Sequence, residues 1–144
     1  MKKKLIIMIF AATILLTNSC TALTRPVKSP IKDQWITARV TYYTPASPDG
    51  KHVAWSKVKA AKEGTTIAAH PKLAFGTVIE IPELRGIVGN GTFIVQDRGT
   101  AVTNKKASHG KTDVIDVFVN SNKKLRFITK TKPKYMKVHI VSHK

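Results

Sequence analysis

The chain has 144 residues, a single cysteine, and 25 Lys and Arg against 8 Asp and Glu, for a formal net charge of +17. That length suits one domain with a sufficient core, and a lone cysteine excludes an internal disulfide framework, so stability must come from packing. In a cytosolic protein such a charge would point first to nucleic acid through phosphate neutralisation.

The N-terminus weighs against that partner. Met1-Lys-Lys-Lys4 is a basic region, Leu5 to Leu16 is an apolar run too short for a stable bilayer span, and small polar residues surround Cys20; this is the pattern of a secretory signal. Residues 1–19 therefore read as a signal peptide. Leu16-Thr-Asn-Ser-Cys20 resembles a bacterial lipobox, which implies a lipid anchor on Cys20. The aliphatic residue lies one place further from the cysteine than the motif asks, so ordinary cleavage after Ala22 stays open. With export, anionic envelope polymers, lipid head groups and wall carboxylates become the counter-surface for the charge. No acid follows Asp116, whereas Lys123, Lys124, Arg126, Lys130, Lys132, Lys134, Lys137 and Lys144 do. They form either a solvated cationic face or a wall-binding one.

Residues 20–34, with Pro26 and Pro30 and no apolar period, read as a tether, and 35–142 as the folded domain. Ile36, Ala38, Val40 and Tyr42 alternate with Thr37, Arg39, Thr41 and Tyr43, the period of a half-buried strand. A turn segment, Thr44-Pro-Ala-Ser-Pro-Asp-Gly50, follows. Ser56 to Lys62 has the outline of a short basic helix capped by Ser56 and stopped by Gly64. Further strands are predicted at 65–69, 77–81, 92–96, 113–119 and 135–141, with one helix at about Ser121–Phe127. Six short strands at that spacing predict an all-β, small closed barrel with one or two short helices.

Three segments place a potentially reactive group beside a strand: His70 in Thr66–Thr77, Asp97 in Phe93–Thr100, and Asp116 in Asp113–Val119. An ionisable group in such apolar surroundings is costly unless something pairs or uses it. Each has a plainer explanation: Asp97 as a turn cap, Asp116 as a structural acid bonded to backbone, His70 as a loop histidine. Asp113 reads as the start of its strand. His52, His109, His139 and His143 are scattered without metal-ligand spacing, so no metal is expected. Tyr42, Tyr43 and Trp55 are core or rim aromatics, of which Tyr43 is the best candidate for stacking on a sugar.

Ala68-Ala-His-Pro-Lys-Leu-Ala-Phe-Gly-Thr77, Val95-Gln-Asp-Arg-Gly99 and Val114-Ile-Asp-Val117, in this order, resemble the double-psi β-barrel domain of the rare lipoprotein A family of lytic transglycosylases. They also resemble the related 3D domain, named for three aspartates, and expansin-like wall-loosening proteins share the barrel. The resemblance spans about Ile36 to Val141. It places His70 on the rare-lipoprotein-A histidine, where the 3D family has an aspartate. Asp97 falls on the aspartate of the turn shared by both families, and Asp116 on the strand aspartate proposed as catalytic acid in relatives of lytic transglycosylase A. Residues 102–112 read as an insertion between the last two motifs.

The resemblance implies a six-stranded double-psi β-barrel cleaving peptidoglycan glycan strands between N-acetylmuramic acid and N-acetylglucosamine, without cofactor, as a monomer in the envelope or secreted. Asp116 or Asp97 would be the acid, His70 a partner that orients or tunes it, and Tyr42, Tyr43 and Arg98 substrate-binding. One carboxylic acid suffices, because it can protonate the leaving oxygen and then take the proton of the sugar's own 6-hydroxyl as a 1,6-anhydro ring closes. The alternative is a non-catalytic, expansin-like module that binds or loosens the wall.

Overall fold

The structure is a computed structural model in which residues 33–48 and 52–141 are described. The signal peptide, Cys20 and most of the predicted tether lie outside them. Six strands form the domain: β1 (Gln34–Tyr43), β2 (Thr66–Ala69), β3 (Val78–Glu80), β4 (Thr92–Asp97), β5 (Val114–Phe118) and β6 (Tyr135–Val141), with helices α1 (Thr100–Thr103) and α2 (Asn122–Thr131). They close into a barrel in the order β1-β5-β2-β4-β3-β6. The pairs β1/β5 and β2/β4 are parallel and the other four antiparallel.

Closure follows from alternation. In β6, Met136, Val138 and Ile140 are buried while Tyr135 and Lys137 are exposed. The inward residues of all six strands, among them Val40, Ile67, Ile79, Phe93, Val95, Ile115 and Val117, belong to one buried cluster. Each fully buried Ile, Val or Phe contributes roughly 1.5–3 kcal/mol relative to exposure, so the filled interior supplies stability that a chain with one cysteine cannot take from internal disulfides. A ring also leaves no open sheet edge.

β2 and β5 are buried on both faces, not one. The segment 99–112, which contains the predicted insertion 102–112 and begins three residues before it, folds as α1 and a short 3-10 turn over the outer face, where Val102 and Ala107 pack on Ala68 and Val114. Helix α2 is capped by the Ser121 side chain, which accepts the Lys124 N–H, and runs one turn beyond the predicted Phe127 before Pro133 ends it. Leu125 and Ile128 face the core, while Phe127 points to solvent.

The helix predicted over Ser56–Lys62 does not form. Backbone donors at its two ends bond across the fold: the N–H of Trp55, just before it, to the Gln96 carbonyl (3.0 Å) and that of Lys62 to Thr66 Oγ1 (2.8 Å). The Trp55 ring also stacks on Phe75, at 5.9 Å between centroids. Further along, Gly64 and Gly89, both at positive φ, press backbone on backbone; a Cβ on Gly89 would lie 2.7 Å from the Gly64 Cα. Only glycine fits this crossing.

Candidate functional site

The site grows from the register of four neighbouring strands. Thr41 of β1 pairs with Asp116 of β5, Asp116 with Ala68 of β2, and Ala68 with Asp97 of β4. Register partners point to the same side of a sheet, so the two aspartates flank one alanine on the outer face. At the usual strand spacing their Cα atoms stand about 10 Å apart. Ala68, the smallest side chain of the row, is 4% exposed between them.

Asp97 reaches this row through an irregularity. Ile67 pairs with Val95, yet Ala68 pairs with Asp97, so Gln96 is an extra residue in β4. The bulge turns Asp97 from the barrel interior, where strict alternation would send it, to the outer face. Gln96 is held by the Thr66 hydroxyl, which donates to Oε1 at 2.7 Å.

A cleft of about 200 Å³ opens over the row, lined by Tyr42, Tyr43, Ser47, Pro48, Ala68, Asp97, Arg98, Gly99, Ala101 and Asp116. A second hollow of about 370 Å³ continues it past Pro48, Asp97, Arg98 and Gly99 to His52, Val53, Ala54 and Thr100. Of the residues singled out from sequence, Asp97, Asp116, Tyr42, Tyr43 and Arg98 therefore share one depression. His70 follows directly on β2 but does not line this depression; its Nδ1 accepts the Lys72 N–H at 3.1 Å.

The two aspartates differ in their surroundings. Asp97 is 2% exposed. Its Oδ1 accepts the N–H groups of Ala54 (2.9 Å) and Arg98 (2.8 Å), and its Oδ2 the Tyr43 hydroxyl (2.8 Å). Asp116 is the more accessible of the two and accepts the Thr41 hydroxyl at 2.8 Å. Tyr43 stands between them: burial first, then the carboxylates of Asp97 and Asp116, push its phenol far above the ordinary value. It remains a protonated donor at any physiological pH. Its ring is nearly closed to solvent and packs edge-on against Phe118. Burial likewise pushes the Tyr42 phenol up to about 12, against the opposing charge of Arg39.

Arg98 is pinned. Its Nη1 donates to the Asp97 carbonyl (3.0 Å) and Nη2 to the Leu73 carbonyl (2.6 Å), and the guanidinium lies 4.0 Å over the Phe75 ring. It ties the loop after β2 to the end of β4. Burial lowers its pKa, with Asp97 opposing.

Sequence reading missed Thr41, which the strand register places beside Asp116, and Ser47 and the Ala54 N–H, which the loop between β1 and β2 brings to the cleft and to Asp97. Asp113, predicted to begin its strand, lies one residue before β5 and is held by Lys72 and Lys105. Among the described residues no group of three or more His, Cys, Asp and Glu is placed to hold a metal ion. No protein-family model matches the chain, and no curated protein is significantly similar to it.

Proposed function

We propose that the chain is an exported lytic transglycosylase of the double-psi β-barrel type, acting on peptidoglycan glycan strands with Asp116 as the acid. The observation that carries the reading is the outer-face row in which Asp116 and Asp97 flank Ala68 at the floor of one cleft. The closed ring of six strands, with two parallel pairs, supports the barrel type.

Asp116 takes the acid role because it is the more accessible carboxyl. Its proton passes to the glycosidic oxygen as the C1–O bond of the muramic acid breaks. The resulting carboxylate then accepts the proton of that sugar's 6-hydroxyl, whose oxygen bonds to C1 and closes the anhydro ring. No water is consumed. Asp97, closed off by three donors, holds Tyr43 and the Ala54 loop in place and supplies a fixed negative field beside the cationic centre that develops at C1. Thr41 orients the Asp116 carboxyl.

Digestion of purified sacculi, with mass analysis of the soluble products, tests this directly. The wild-type chain should release 1,6-anhydro sugars, and Asp116→Asn should lower the release by at least about a hundredfold, the lower end of what a positioned acid–base contributes. Full activity in that variant would remove the assignment. The second reading is a binding or loosening module of expansin type, which would use the same cleft and its accessible carboxyl without cleavage. Sacculus binding without any anhydro product would establish it. We further propose attachment of the exported protein to the membrane through a lipid on Cys20.

A further inference from the structure

A second pocket, also of about 200 Å³, lies on the far side of β1 from the cleft, between that strand and the turn joining α2 to β6. Arg39, Thr41, Tyr42, Thr129, Lys132 and Lys134 line it, and none of its lining residues is an acid. It neighbours the cleft along β1. Tyr42 lines both, and Thr41 lines this pocket while its hydroxyl donates to Asp116. A ligand lying over Asp116 therefore has one short step to reach Arg39.

Arg39 is held ready for that step. Its Nη1 donates to the carbonyls of Val40 (2.8 Å) and Lys134 (3.1 Å), and the guanidinium lies over the ring of Tyr135, 5.8 Å from its centroid. A guanidinium presents five N–H donors in a rigid fork. Among the described residues, the bonds of this guanidinium to protein all leave from Nη1, so the donors of Nη2 and Nε remain for a ligand. A planar, immobilised fork with two open donors matches a carboxylate in bidentate fashion, and little side-chain entropy remains to be lost on binding. Lys132 and Lys134 add charge without fixing geometry.

We propose that this pocket is a carboxylate-binding subsite, taking the acidic substituent of a glycan whose backbone occupies the cleft. In a muramyl glycan that substituent is the lactyl carboxylate, or the first acidic group of the peptide it carries. The inference rests on the cleft being the glycan site, and it makes the enzyme selective for acidic over neutral glycans.

The test is the affinity of the full chain for a soluble muramyl oligosaccharide with free carboxyl groups, against the same oligosaccharide with every carboxyl converted to its methylamide, at fixed salt. The free acid should bind about tenfold tighter, the factor one charge-assisted hydrogen bond supplies. Arg39→Gln should reduce that preference to about twofold or less, as should the double variant Lys132→Gln/Lys134→Gln. Lys111→Gln/Lys123→Gln removes the same charge from exposed sites outside the pocket and should keep the preference. Equal binding of acid and methylamide by the wild type overturns the proposal, as does equal loss of preference in both lysine double variants, which would mark diffuse attraction. If Arg39→Gln does not fold, the lysine variants decide. Anhydro-sugar release is scored on the same proteins: carboxylate preference without product sinks the enzyme reading and keeps the subsite, whereas product without preference does the reverse.

Discussion

A carboxylate that is 2% exposed has to spend its acceptors on protein donors, and Asp97 spends them on Tyr43, Ala54 and Arg98. Two of those donors are backbone N–H groups that only proline would remove; the third is a hydroxyl that Tyr43→Phe deletes while keeping the ring on Phe118. A hydrogen bond to a charged group, with its acceptor then left short, is worth roughly 2 kcal/mol. Tyr43→Phe should therefore lower the free energy of unfolding by about that amount in a denaturant titration, and anhydro-sugar release should fall with it as the Ala54 loop loosens. Unchanged stability would show that Asp97 does not depend on Tyr43. The contrast with Asp116 is one of access: both carboxyls line the cleft, but Asp116 is the more exposed and Asp97 is nearly closed to solvent.

The 99–112 segment is the element that distinguishes the two faces of the sheet, and it is latched by charge. Lys105, within it, meets Asp113 Oδ1 at 2.9 Å, and Lys72 from the loop after β2 meets Oδ2. Burial acts to raise the Asp113 pKa, but the hydrogen bonds and charges of Lys72 and Lys105 outweigh it and hold the carboxyl below its ordinary 3.8. A depressed carboxyl stabilises the fold above its unfolded pKa and loses that contribution as pH falls through the folded value. Asp113→Asn should thus cost about 1 kcal/mol at neutral pH, the scale of partly exposed ion pairs, and the stability gap to wild type should close on acidification below the ordinary carboxyl range. A gap that persists at low pH would place the effect outside this latch. The strands themselves are legible in the sequence, because runs such as Tyr135–Val141 alternate and end in turn residues. The Ser56–Lys62 helix misleads for the opposite reason: its local outline is helical, but Trp55 and Lys62 bond across to Gln96 and Thr66, and local patterns carry no record of such partners. The bulge is hidden in the same way. Alternation counted from Val95 puts Asp97 inside the barrel, and only the pairing of Ala68 with Asp97 turns it outward. Asp97 and Asp116 can be named from motifs; their place side by side belongs to the ring.

For the molecule as a whole, the proposed chemistry and the charge do different work. The +17 net charge is spread over residues such as Lys111, Lys123, Lys130 and Lys137, which are exposed and far more numerous than the three cations of the pocket beside Arg39. Exposed charges of this kind attract an anionic polymer without selecting among polymers, and salt screens them over about 10 Å at 0.1 M. The proposed lipid on Cys20 would instead hold the chain at the membrane by apolar insertion, which salt strengthens if anything. One fractionation separates the two. Wild-type protein should stay with the membrane fraction at all salt concentrations, and Cys20→Ala should leave it. The released variant should bind purified sacculi at low salt and elute progressively as salt rises, while the ratio of anhydro-sugar release to bound protein stays constant. A Cys20→Ala protein that remains in the membrane removes the anchor. Sacculus binding indifferent to salt removes the cationic surface as the adsorbing one, and would leave wall affinity to the cleft and its neighbouring pocket alone.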